Sequence, residues 1–102
     1  MTDYELSIAA QDDLKEIARY TVNKWGLKQA KRYEALLVKG FRNISKGHLP
    51  PRVLLSHRPD LLFSRCEHHY IFYAPRDGQP PLILAVFHES MDLMHRLKER
   101  LE

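Results

Sequence analysis

The chain has 102 residues, a mass of 12.0 kDa, a formal net charge of +3 and 44% hydrophobic residues. That is enough for one domain, residues 1–102, with one modest core, and too apolar for a disordered tail. Its one cysteine, Cys66, excludes an internal disulfide and a cysteine-rich zinc site. The longest apolar runs fall far short of the roughly 20 residues that span a bilayer. Met1 is followed by Asp3 and Glu5, with neither basic nor apolar leader segment, so a cytoplasmic protein without membrane attachment is expected.

Tyr4, Leu6 and Ile8 alternate with Glu5 and Ser7, which predicts a short strand over 3–8. A helix starts at Ser7 or just after it, with Asp12 and Asp13 early where the helix dipole favours acids. Ala10, Leu14, Ile17, Ala18, Thr21 and Trp25 form its apolar stripe, and Gly26 ends it. A second helix is predicted from about Lys28 to Ser45, with Ala30, Tyr33, Leu37, Phe41 and Ile44 on one face. So little chain separates the two that they must fold back as an antiparallel hairpin. Gly47 stops the second helix and Pro50-Pro51 prevents a restart.

Four apolar runs follow between turn formers: Val53–Leu55, Leu61–Phe63, His69–Tyr73 and Leu82–Phe87. Pro59-Asp60, Arg65–His68 and Pro75-Arg76-Asp77-Gly78 supply the turns, and the short connections imply antiparallel neighbours. Leu93, Met94, Leu97 and Leu101 then share one side of a short final helix that adds little to the core. The expected fold is α+β: an N-terminal strand, an antiparallel two-helix hairpin packed on a small antiparallel sheet, and a short C-terminal helix.

Charge is unevenly distributed. Residues 1–24 carry five acids and three bases, whereas Lys39, Arg42, Lys46, Arg52, Arg58 and Arg65 face only Asp60 between residues 39 and 65. A basic half of this kind suits nucleic acid or an acidic protein surface, and charge alone does not choose between them.

Six histidines raise the question of a metal, but zinc needs three or four converging ligands. His88-Glu89 opens like a zinc-protease helix, yet position 92 is Asp, and His68 and His69 point to opposite faces if both lie in a strand. No metal and no cofactor is expected. Metal-free RNA cleavage needs a base, an acid and cations on the phosphate, which Arg65, His69 and His88 supply if they lie close together. Cys66 beside Arg65 lacks the glycines of a nucleophile elbow and reads as an inert thiol. Tyr20, Trp25, Tyr33, Tyr70 and Tyr73 are mostly core by their spacing, with Tyr73 the best candidate for exposure.

The most distinctive stretch is Ala85-Val86-Phe87-His88-Glu89-Ser90-Met91-Asp92, preceded by His69-Tyr70-Ile71-Phe72-Tyr73. Near the start stand Tyr4-Glu5-Leu6-Ser7, Ala10, Asp13-Leu14, Ile17, Tyr20, Trp25-Gly26 and Gln29-Ala30. In this order and at these distances, from Tyr4 to about Leu97, the chain resembles the ParE toxins within the RelE/ParE superfamily of toxin–antitoxin pairs.

The resemblance implies a growth-inhibiting toxin serving plasmid or chromosome maintenance. It would poison DNA gyrase by protein–protein contact, without catalysis, and be neutralised by an acidic ParD-like antitoxin. Arg65, His69, Tyr73, His88, Met91 and Asp92 are the candidate contacts, with Lys39, Arg42, Lys46, Arg52 and Arg58 as the electrostatic surface for antitoxin. The toxin alone is not expected to bind nucleic acid sequence-specifically. The alternative within the superfamily is a RelE-type ribosome-dependent mRNA endonuclease. Against it, Ala85 stands where the superfamily usually carries an arginine, and Lys46 is the last lysine before Lys98.

Overall fold

The computed structural model describes residues 3–47 and 49–102, so His48 lies outside the described residues. The elements run β1 (Glu5–Leu6), α1 (Ile8–Trp25), α2 (Leu27–Ser45), β2 (Leu62–Cys66), β3 (His69–Arg76), β4 (Gln79–His88) and α3 (Leu93–Leu101). The expected α+β arrangement is present, a helical hairpin on a small sheet with a final helix.

Ser7 is the N-cap of α1, its Oγ accepting the Ala10 N–H at 3.0 Å. Asp12 and Asp13 fall beyond the first turn, where the dipole effect has faded. Gly26 is the whole connection between the helices. Its φ of +92° suits glycine, its N–H donates to the Val22 carbonyl at 2.9 Å, and its carbonyl accepts from Ala30 at 3.1 Å. One residue therefore closes α1 and opens α2. On α2, Ala30, Leu37, Phe41 and Ile44 are buried as the spacing predicts. On α1 the stripe is narrower: Ala10 and Thr21 are buried, but Ala18 is exposed and Trp25 is 64% exposed. Trp25 lies on the last turn, past the end of the sheet-facing stripe.

The sheet order is β1-β4-β3-β2. β2, β3 and β4 are antiparallel neighbours, but β1 pairs with β4 in parallel, Glu5 opposite Leu82 and Leu6 opposite Ile83. The sheet is thus mixed where an antiparallel one was expected. The short-connection rule governs only the last three strands, and the entire helical hairpin separates β1 from them.

Val53–Leu55, expected as a strand, makes only an isolated bridge from Val53 to Leu62. The Pro50-Pro51 pair has no N–H to donate, and turns from Leu55 to Arg58 and from Arg58 to Leu61 bend the chain before a ladder can form. Conversely, β3 and β4 run through Pro75 and Pro80-Pro81, so their turn is reduced to Asp77-Gly78.

Two apolar clusters lie on opposite faces of the sheet. Ala10, Leu37, Phe41, Ile44, Ile71, Tyr73, Ile83 and Val86 pack between hairpin and sheet. Gly40 allows this close approach, because a Cβ there would stand 3.1 Å from Cys66 Sγ. The second cluster is Leu55, Leu61, Phe72, Ala85, Phe87 and Leu97. Leu97 is 0% exposed, so the final helix does supply core, contrary to expectation. Among the described residues, no helix is long and apolar enough to cross a membrane.

Candidate functional site

The outer edge of β4 is only partly covered, because β1 pairs with it through two residues. Phe72 stands opposite Ala85 and Tyr73 opposite Ile83, which leaves Leu84 as an extra residue in a bulge. Beyond that point side chains satisfy the edge. Asp13 Oδ2 accepts the Val86 N–H at 3.0 Å, and Arg100 Nη1 donates to the Leu84 carbonyl at 2.9 Å. Asp13 and Arg100 join through two hydrogen bonds of 2.9 and 2.8 Å, tying α1 to α3 across the edge. The bond from Asp13 raises the Arg100 pKa above its ordinary value.

Along this edge lies a cleft of about 500 Å³ between α1, the end of β4 and α3. His69, His88 and Met91 line it, as do Glu16 and Ile17 of α1 and Arg96 and Glu99 of α3. Three of the six expected contact residues therefore share one cleft. The contributions of Asp13, Glu16, Arg96 and Arg100 were missed from sequence. Asp13 stood in a segment that carries the resemblance, the others showed only helical charge, and the parallel β1 that opens the edge was not foreseen.

His69 pairs with His88 across the β3–β4 ladder, their rings edge to face at 5.1 Å. His69 is 8% exposed, and its Nδ1 lies 2.6 Å from the Tyr33 hydroxyl, which also accepts the His68 N–H at 3.2 Å. Burial, helped by the neighbouring His88 and His68, lowers its pKa to about 4. Burial also raises the Tyr33 pKa. His69 is thus a neutral imidazole at pH 7. His88 Nδ1 accepts the Ser90 N–H at 3.0 Å and lies 2.7 Å from Ser90 Oγ. Because a backbone N–H only donates, Nδ1 is the acceptor and Nε2 carries the proton.

The other expected residues stand elsewhere. Arg65 reaches the same end of the sheet, where its Nη2 donates to Glu89 Oε1 at 2.9 Å while His68 Nδ1 lies 2.9 Å from Glu89 Oε2. That network, the His68 bond first, lowers the Glu89 pKa. Asp92 is the N-cap of α3, accepting the His95 N–H at 3.2 Å. Tyr73, expected at the surface, is buried in the first cluster, and burial raises its pKa. Ala85 is buried in the second cluster, on the face away from the two histidines. Burial likewise raises the Cys66 pKa, which suits an inert thiol. Among the described residues no three histidine, cysteine or carboxylate side chains group as metal ligands.

The basic segment is divided. Lys39, Arg42 and Lys46 line a shallow groove of about 540 Å³ on the outer face of α2, together with Lys31, Ala35, Val38, Asn43 and one acid, Glu34. Arg52 stacks over Phe63 at 4.7 Å, next to the second cluster on the opposite face of the sheet. Arg58 is neutralised by Asp60 through bonds of 3.0 and 2.9 Å.

Residues 4–93 match the family model for the ParE toxin of type II toxin–antitoxin systems, parDE. The chain belongs to the ParE toxin family. The Escherichia coli protein Toxin ParE is 45% identical over 102 residues, covering 100% of this chain and 99% of that one. A solved structure described as a chromosomal ParDE TA system from P. aeruginosa superposes with a TM-score of 0.72 at 16% identity, covering 86% of this chain and 96% of that one. In this ParE-family toxin, the αα-hairpin on a sheet is therefore shared at a level where few side chains are.

Proposed function

We propose that this ParE toxin poisons DNA gyrase by protein–protein contact, stalling it on cleaved DNA, with no catalysis of its own, and that an acidic ParD-like antitoxin in the same compartment neutralises it. The observation that carries the reading is the cleft along β4. It presents His88 and a 40% exposed Met91 beside Arg96, while its other histidine is buried against Tyr33. A polar, an apolar and a cationic side chain at one rim suit macromolecular contact. An acidic antitoxin that folds on binding is complementary to the Lys39–Arg42–Lys46 groove.

One observation favours the mRNA endonuclease as the second reading. The His69–His88 pair opens on a cleft that also holds Arg96 and Arg100. Against it, Arg100 is committed to Asp13, and position 85 faces the core.

Gyrase supercoiling and cleavage assays beside translation-dependent RNA cleavage separate the two. The toxin should raise cleaved DNA and leave RNA intact, and a His88→Ala, Met91→Ala double variant should stay folded and bind antitoxin yet lose the gyrase effect. Codon-phased RNA cuts within minutes of induction would replace this reading with the endonuclease.

A further inference from the structure

The tip of the helical hairpin takes no part in the cleft and meets the groove on α2 only at Lys31. Its eight residues from Val22 to Gln29 are all exposed, making a knob around Gly26. Tyr20, Trp25 and Leu27 are 60%, 64% and 60% exposed, and Lys24 Nζ lies 5.5 Å from the ring centres of both Tyr20 and Trp25. Between positions 19 and 32 the chain has Arg19, Lys24, Lys28, Lys31 and Arg32 and no acid. Arg19 is paired with Glu16 at 3.0 Å, but among the described residues no carboxylate lies within 4.0 Å of the other four.

We infer that this tip binds single-stranded nucleic acid without sequence preference, its lysines on phosphates and the Trp25 and Tyr20 rings stacked on unpaired bases. Three features choose this partner. The cations are unneutralised and project from two helix ends, which suits a chain of regularly spaced phosphates. Exposed aromatic rings among cations are the surface on which bases stack, each ring offering the face that Lys24 does not cover. Residues 22–29 are all exposed and the α2 groove meets the tip only at Lys31, so the tip offers open rings and cations where a peptide's apolar side chains need a buried pocket. The contact is independent of the cellular target, since free toxin and naked oligonucleotide suffice to see it.

Trp25 is the sole tryptophan, so its fluorescence reports on the tip alone. Titrating the full-length toxin with a thymidine dodecamer at low salt should quench that fluorescence saturably. The log of affinity should fall with log salt at a slope near −2, as expected for about three phosphate contacts on a single strand. A Lys24→Gln, Lys28→Gln variant, followed by anisotropy of a labelled dodecamer, should bind about tenfold or more weakly, and Trp25→Ala should do the same. Both should melt like the parent, because every altered side chain is exposed. The inference is overturned by absence of saturable quenching, by unaltered binding in both variants, or by equal quenching with polyglutamate or anionic lipid vesicles, which would assign the tip to an acidic protein or a membrane surface. A failed gyrase assay with intact oligonucleotide binding would refute the proposed target and leave the tip assignment standing.

Discussion

At the scale of single residues, Met91 and Asp92 are neighbours with different duties. Met91 is 40% exposed, so Met91→Ala should change stability by no more than about 0.5 kcal/mol in a urea melt, as at other surface sites. Asp92 caps α3, so Asp92→Ala should cost about 0.5–2 kcal/mol while Asp92→Ser, which keeps a capping oxygen, should recover most of it. Any loss of toxicity in Asp92→Ala is therefore interpretable only beside the serine variant. His69 links stability to pH. Its folded pKa of about 4 lies below the ordinary 6.5, so the unfolded chain takes up the proton first as pH falls. The stabilisation is complete above pH 6.5 and is lost progressively toward pH 4, with an upper bound of roughly 3 kcal/mol. Urea melts at pH 7 and pH 4.5 should show this loss in the parent chain, and a His69→Gln variant should show much less of it.

At the scale of elements, α3 decides how the second face of the sheet is closed. Leu97 is fully buried among Phe72, Ala85 and Phe87, so Leu97→Ala should destabilise the fold by about 2–5 kcal/mol, read by thermal or urea unfolding. Arg100 serves differently, holding Asp13 and the Leu84 carbonyl together while lying over the Phe87 ring at 5.0 Å. Arg100→Met keeps the stem and loses the charged hydrogen bonds, and a cost of about 2 kcal/mol is expected. Hydrogen exchange should then accelerate first in α3 and at Val86, whose N–H bonds to the freed Asp13. The spacing of Leu93, Leu97 and Leu101 announced a helix, but not that it docks on the sheet face left uncovered by the hairpin.

At the scale of the whole molecule, charge is sorted by face. Lys39, Arg42 and Lys46 lie together on α2, whereas Arg52 is stacked on Phe63 and Arg58 is held by Asp60. If the groove receives an acidic antitoxin, a Lys39→Gln, Arg42→Gln, Lys46→Gln variant should slow association about tenfold or more at low salt, measured by stopped flow. An Arg58→Gln, Asp60→Asn variant, which removes the ion pair without changing net charge, should leave the rate unchanged. The complex should also melt above the free toxin, since a partner that binds only the folded chain stabilises by mass action.

Local pattern alone determined most of the elements. Ser7, Gly26 and the three-four spacing of α2 made the helical hairpin legible, because capping and amphipathicity are encoded within a few residues. The order and spacing of the segments from Tyr4 to about Leu97 were enough to recognise the ParE family, and His69 and His88 do meet. Tertiary structure alone decided the parallel pairing of β1 with β4, the failure of Val53–Leu55 to form a strand, and the burial of Tyr73 and exposure of Trp25. It also brought Asp13 and Arg100 together to close the edge of β4 and shape the cleft. Each of these depends on contacts between residues far apart in the chain, and strand pairing and burial are set by which faces meet, a quantity that no local window of sequence contains.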